Sequence, residues 1–256
     1  MKKRYLCFLI AMFIMFGLSL LSCLRLKSVS QNDLKQSRYF KEVGQSYILE
    51  GKYQNAYVEF QKAVELNPLD KELYYYIGFI QAKWGAYDKS IEYFKKAIYI
   101  DKHYAEAHNH LGIAYLSLQK WDKAIDSFNK AIREPLYGTP EVAYYNLGTA
   151  YYYKGDYLES LSTIKEALKR KEIFPQAQYL KGQIYNKLGK TSEAVKAYKN
   201  AIKHYDDYGE AHLELAKIYL KEGDRRKAFE HFERAANSSV DGKVKKEALK
   251  YIEILK

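Results

Sequence analysis

The chain has 256 residues, a net charge of +11, 27 tyrosines against 11 phenylalanines, and only 2 cysteines. The positive balance does not mark a nucleic-acid partner, because the lysines are dispersed along the chain and mixed with glutamates, as solvated helix faces require. An internal disulfide is excluded once the leading segment is removed, since Cys7 lies within it and Cys23 is the only other thiol.

Lys2, Lys3 and Arg4 precede an uncharged, mainly apolar run from Tyr5 to Leu21. This order reads as an export signal over residues 1–22. Leu20-Leu21-Ser22-Cys23 resembles a bacterial lipoprotein lipobox, which implies that Cys23 becomes the lipidated N-terminus. The same run is long enough to be read instead as an uncleaved inner-membrane anchor. Several acyl chains, each contributing about 0.8 kcal/mol per buried CH₂, hold a protein at a bilayer durably, so the membrane partner is the lipid itself. Leu24 follows the cysteine, and the resemblance to Gram-negative lipoproteins implies sorting to the periplasmic face of the outer membrane, since the aspartate that commonly retains such proteins at the inner membrane is absent. Residues 23–36 are short, polar and without apolar period, and are read as a tether.

From Ser37 onward the chain repeats. Ala63, Ala97, Ala131, Ala167, Ala201 and Ala235 recur at spacings of 34 residues, with one of 36. With Ser37 as position one, Gly44, Gly78, Gly112, Gly148 and Gly182 occupy position eight, and Ala216 takes that place in the sixth copy. Gly51, Gly85, Gly155, Gly189 and Gly223 occupy position fifteen, where a chain leaving a helix needs a left-handed residue. Small residues at positions eight and twenty-seven let the two helices of a hairpin approach closely. Large ones, Phe60, Phe94, Phe128, Ile164, Tyr198 and Phe232, recur at position twenty-four.

These residues resemble the tetratricopeptide repeat family throughout Ser37 to Gly242. The expected fold is all-α: an α-solenoid of six tetratricopeptide helix hairpins at 37–70, 71–104, 105–140, 141–174, 175–208 and 209–242. Residues 243–256 carry Val244, Ala248, Leu249, Ile252 and Leu255 at helical spacing and read as a capping helix, which a solenoid needs.

No catalytic constellation stands out, and the chain is read as not an enzyme. Gly189-Lys190-Thr191 ends like a phosphate loop, but Ile184 occupies the place of its leading glycine. His103, His108, His110, His204, His212 and His231 lack metal-ligand spacing, so no metal or cofactor is expected. No small-molecule substrate is expected either.

Function then falls to a surface. In the family, the concave face is lined by the first helix of each unit, at positions two, five, nine, twelve and thirteen. The resemblance places Tyr75, Phe79, Asn109, Ile113, Leu116, Tyr145, Thr149, Tyr152, Tyr153, Tyr179, Gln183 and Asn186 along a partner-binding groove, aromatic and weakly charged at its centre. Its ends are more basic, through Arg38 and Lys41 on one side and Lys187, Lys217 and Lys221 on the other. The clamp that grips a C-terminal carboxylate is not expected, because Gln45, Tyr76, Glu106 and His110 stand at its positions.

The lipobox, six units directly after it, and the lengthened junction Arg133-Glu134-Pro135-Leu136-Tyr137-Gly138-Thr139-Pro140-Glu141 look like the type IV pilus biogenesis lipoproteins, or pilotins. That resemblance implies a protein partner, a secretin subunit, assisted toward the outer membrane. A general scaffold for envelope assembly or polysaccharide export is the alternative reading.

Overall fold

The computed structural model describes residues 29–238 and 242–255, so the apolar leader and Cys23 lie outside the described residues. Those residues form 13 helices and no strand. Two compact bodies meet in sequence at Leu69 and Asp70.

The first body is one hairpin, α1 (Gln31–Leu49) and α2 (Tyr53–Leu66). Helix α1 begins earlier than the repeat pattern implies. Ser30 is the reason: its hydroxyl accepts from the Asp33 amide at 3.0 Å while the Asp33 carboxylate accepts from the Ser30 amide at 3.1 Å. This reciprocal cap satisfies two donors that a helix start leaves bare. Residues 31–36, read from the sequence as tether, are therefore helical. Further along, the buried Ser37 hydroxyl donates to the Ala63 carbonyl at 2.9 Å and ties the two helices together.

The second body contains five hairpins: α3 (Lys71–Lys83) with α4 (Tyr87–Ile100), α5 (Ala105–Ser117) with α6 (Trp121–Arg133), α7 (Pro140–Lys154) with α8 (Tyr157–Arg170), α9 (Pro175–Lys187) with α10 (Thr191–His204), and α11 (Gly209–Lys221) with α12 (Arg225–Ser238). Helix α13 (Gly242–Leu255) closes it. Pro140 and Pro175 sit at first helical positions, where a missing amide costs nothing.

Each hairpin turn is built the same way. In the fifth repeat unit, Gly189 donates to the Asn186 carbonyl and Lys190 to the Tyr185 carbonyl, at 3.1 and 2.9 Å, closing the end of α9 with Gly189 at φ +72°. Unit three has no glycine at this place. Gln119 takes the same left-handed backbone, at φ 57°, and is the one non-glycine among the described residues to do so.

Inside a hairpin, position eight meets position twenty-four: a β-carbon on Gly78, Gly112, Gly148 or Gly182 would lie between 2.5 and 2.9 Å from Phe94, Phe128, Ile164 or Tyr198. The alanines at position twenty-seven are fully buried, but Ala131 packs with Ala105, Tyr137 and Ala143, so it also serves the junction to the next unit. Tyr137, from the lengthened junction, is the plug of that cluster, while its neighbour Leu136 is exposed.

Helix α13 lays Val244, Ala248 and Ile252 on the core formed by α11 and α12, with Tyr251 stacked on Phe232 at 4.6 Å. Leu249, expected on that inner face, is exposed. At about 100° per residue it stands about 100° round the helix from Ala248 and about 140° from Val244, beyond the edge of the buried stripe that ends at Ile252.

Candidate functional site

Consecutive first helices α3, α5, α7 and α9 touch one another, so the residues at one register of each helix form a continuous row on the second body. Ridge-into-groove packing fixes that register: once position eight faces the second helix, positions five, nine and twelve fall on the side shared by neighbouring first helices.

The row has a floor of tyrosine. Tyr75 lies 5.4 Å from Tyr104, Tyr145 lies 5.1 Å from Phe174, and Tyr179 lies 5.1 Å from Tyr208, each pair joining position five to the last residue of the same unit. These rings are half-buried and packed against the core clusters. Burial pushes the phenols of Tyr75, Tyr145 and Tyr179 above the usual tyrosine range, so they stay neutral and act as hydrogen-bond groups. Their first role is thus to brace the units, and only part of each ring is free to meet a ligand.

Other members differ in accessibility. Phe79, Ile113 and Leu116 are half-buried on the same cluster as Tyr75, and Tyr152 is half-buried against the next one. Tyr153 is 60% exposed and stacks on Trp121 of the preceding unit at 5.6 Å and 17° between planes. Asn186 is exposed. The Thr149 hydroxyl donates to the Tyr145 carbonyl at 2.9 Å and the Gln183 amide donates to the Tyr179 hydroxyl at 3.1 Å.

Two expectations need correction. Asn109 is only 3% exposed, and its side-chain oxygen accepts from Asn146 at 3.1 Å, so it joins α5 to α7 instead of facing a partner. An amide at position five without a ring finds the neighbouring helix's amide, and a buried pair of this kind must be mutually satisfied. Lys217, placed at a basic end, is held by Glu214 at 3.0 Å and Glu247 at 2.8 Å, which cancels its charge locally.

Residues that the sequence did not assign to the groove also border the row. His110 touches Tyr75 at 5.2 Å and Phe79 at 6.0 Å, ring to ring, and shares its Nδ1 with the Glu106 carbonyl at 3.0 Å. Burial lowers its basicity, so it is a neutral aromatic member. Glu106, Glu141 and Glu210 lie in the first turns of α5, α7 and α11 and are half-buried, with no ion pair among the described residues. The signal was present: position two of the repeat is glutamate at Glu72, Glu106 and Glu210. Among the described residues no group of three or more metal-ligating side chains forms, and no helix is long and apolar enough to cross a membrane.

Tandem hairpins with this internal repeat define a helical-repeat interaction scaffold. Family profiles described as tetratricopeptide repeat match residues 42–68, 71–104, 105–134, 145–195 and 209–239, and one described as TPR repeat matches 182–223. The chain belongs to the tetratricopeptide repeat family. Among solved structures it is similar to PilF of Pseudomonas aeruginosa, at 15% identity and a TM-score of 0.75, over 86% of this chain and 100% of that one. It is likewise similar to PilW, a widely conserved type IV pilus biogenesis factor, at 20% identity and a TM-score of 0.76, over 83% and 98%. A third, YrrB, a TPR protein with an unusual peptide-binding site, matches at 22% identity and a TM-score of 0.56, over 75% and 97%. No curated protein sequence matches.

Proposed function

We propose that this chain is a periplasmic, lipid-anchored adaptor that receives a segment of another polypeptide in the tyrosine-floored furrow of its second body and assists assembly or outer-membrane targeting of a type IV pilus secretin. The observation that carries this reading is extent: the repeats align with the whole of PilF and nearly the whole of PilW, so the same amount of scaffold is present. The lipobox-like Leu20-Leu21-Ser22-Cys23 immediately before the repeats agrees with it, since a lipid supplies location and a furrow supplies selectivity. A furrow with half-buried rings and backbone-compatible amides suits an extended or helical segment.

The test is recovery of partners from cells. Tyr153→Ala with Tyr152→Ala should lower capture of secretin subunits while the helical circular-dichroism signal is kept, because Tyr153 is exposed and braces less of the core than Tyr145 does. Equal capture by this variant would refute the furrow, and capture of envelope proteins unrelated to secretins would refute the partner.

A further inference from the structure

The furrow combines ring faces with carboxylates that have no counter-ion. Glu106 lies close enough to Tyr75, Tyr104 and Tyr137 to act electrostatically on all of them, and Glu210 does the same to Tyr179 and Tyr208. Glu141 reaches Tyr137 as well. Each sits in a first helical turn, where the helix dipole favours an acid. The dipole accounts for a carboxylate at a helix start, but not for three of them half-buried beside tyrosines and left without a lysine in a chain that carries 42 basic residues.

The chain also shows what these rings accept. Lys71 places its ammonium 4.7 Å from the centre of the Tyr104 ring, Lys83 lies 5.2 Å from Phe79, and Lys171 lies 5.2 Å from Phe174. Tyr145, Tyr152, Tyr153 and Tyr179 have no such cation among the described residues. A cation over a tyrosine face gains roughly 0.5–1 kcal/mol when exposed and more when desolvated.

We infer that the segment held in the furrow is a polypeptide carrying lysine or arginine alternating with apolar residues, its cations meeting Glu106, Glu141 and Glu210 and the open tyrosine faces, its apolar side chains resting on Phe79, Ile113 and Leu116. This rests on the furrow reading above and adds the chemistry of the occupant. The protein's own positive charge opposes approach at long range, but screening confines that repulsion to about 8 Å at physiological salt, so local carboxylates decide.

The experiment uses the full chain and three fluorescent peptides of about 12 residues, in which leucine alternates with lysine, glutamine or glutamate; binding is read by anisotropy. The lysine peptide is expected to bind about five- to tenfold tighter than the glutamine peptide at physiological salt, and the preference to vanish in Glu106→Gln/Glu210→Gln with an unchanged melting curve. Equal binding of the lysine and glutamine peptides, both lost in Tyr152→Ala, overturns the cationic occupant while leaving the furrow reading intact. Stronger binding of the glutamate peptide, or binding of none of the three, also overturns it. A preference for lysine that survives the double variant overturns the assignment to these carboxylates.

Discussion

Gly112 and Phe128 face each other so closely that a β-carbon on the glycine would sit 2.5 Å from the ring's Cε1. Phe128 is fully buried, so it has no room to retreat. Gly112→Ala gains about 1 kcal/mol of helix propensity but overpacks the contact, at about 1–3 kcal/mol. The overpacking wins. Thermal melting should drop by several degrees in this variant, and Phe128→Leu in the same chain should recover part of the loss. A melting curve equal to the parent's would show that the hairpin does not depend on this contact.

Gln119 holds a left-handed backbone where the other turns use glycine. The conformation costs a non-glycine residue roughly 1 kcal/mol or more, partly offset by the greater freedom glycine has when unfolded. Gln119→Gly should therefore stabilise the protein by about 0.5–1 kcal/mol. The check is a denaturant titration, and a lowered midpoint would contradict the strain.

Tyr198 fills position twenty-four, where other units use phenylalanine or isoleucine, and its buried hydroxyl meets no protein acceptor. An unsatisfied buried hydroxyl costs about 1–3 kcal/mol. Tyr198→Phe should accordingly be neutral to stabilising, by up to about 1 kcal/mol once the lost packing atom is counted. Destabilisation beyond about 1 kcal/mol would mean that the hydroxyl has a partner that the geometry does not reveal.

How much of this was legible in the sequence depends on the kind of constraint. Gly112 and Phe128 recur sixteen residues apart in unit after unit, so close packing could be read without coordinates; which position the glycine faces could not, because periodicity fixes a helix face and not its opponent. The capping chemistry of Ser30 and Asp33 is local and readable, yet it lies outside the repeat and escaped a register-based reading. Tyr75, Tyr145 and Tyr179 were legible as one row. Their pairing with Tyr104, Phe174 and Tyr208 was not, since it joins the two ends of a unit across its full length. Asn109 looked like its ring-bearing counterparts in register and differs only because an amide must find a partner when buried.

The last hairpin holds a pH-sensitive contact. His212 Nδ1 and His231 Nδ1 are 2.8 Å apart, and His212 Nε2 donates to the Asp206 carbonyl at 2.9 Å, which leaves His212 Nδ1 to accept from His231. Tyr219 covers His231 at 5.5 Å, and Lys199 and Arg234 add positive charge nearby. Burial, then His212, lowers the His231 pKa from the ordinary 6.5 to about 4. The unfolded chain therefore takes up a proton that the folded chain refuses. This contribution to stability is complete above about pH 6.5 and is lost as pH falls from there toward about 4. Discounted for the partial exposure of His231, the loss is about 1–2 kcal/mol. Melting temperatures at pH 7.5 and pH 5 should differ in the parent and differ less in His231→Gln; equal slopes would contradict the assignment.

The central claim is that another polypeptide lies in the furrow lined by α3, α5, α7 and α9. A photo-crosslinking amino acid placed at Tyr153, in the furrow, and at Leu158, exposed on the second helix of the same unit, tests it in intact cells. The account predicts a discrete protein adduct from position 153 and none from position 158. Adducts from 158 alone, or the same adducts from both, would contradict it.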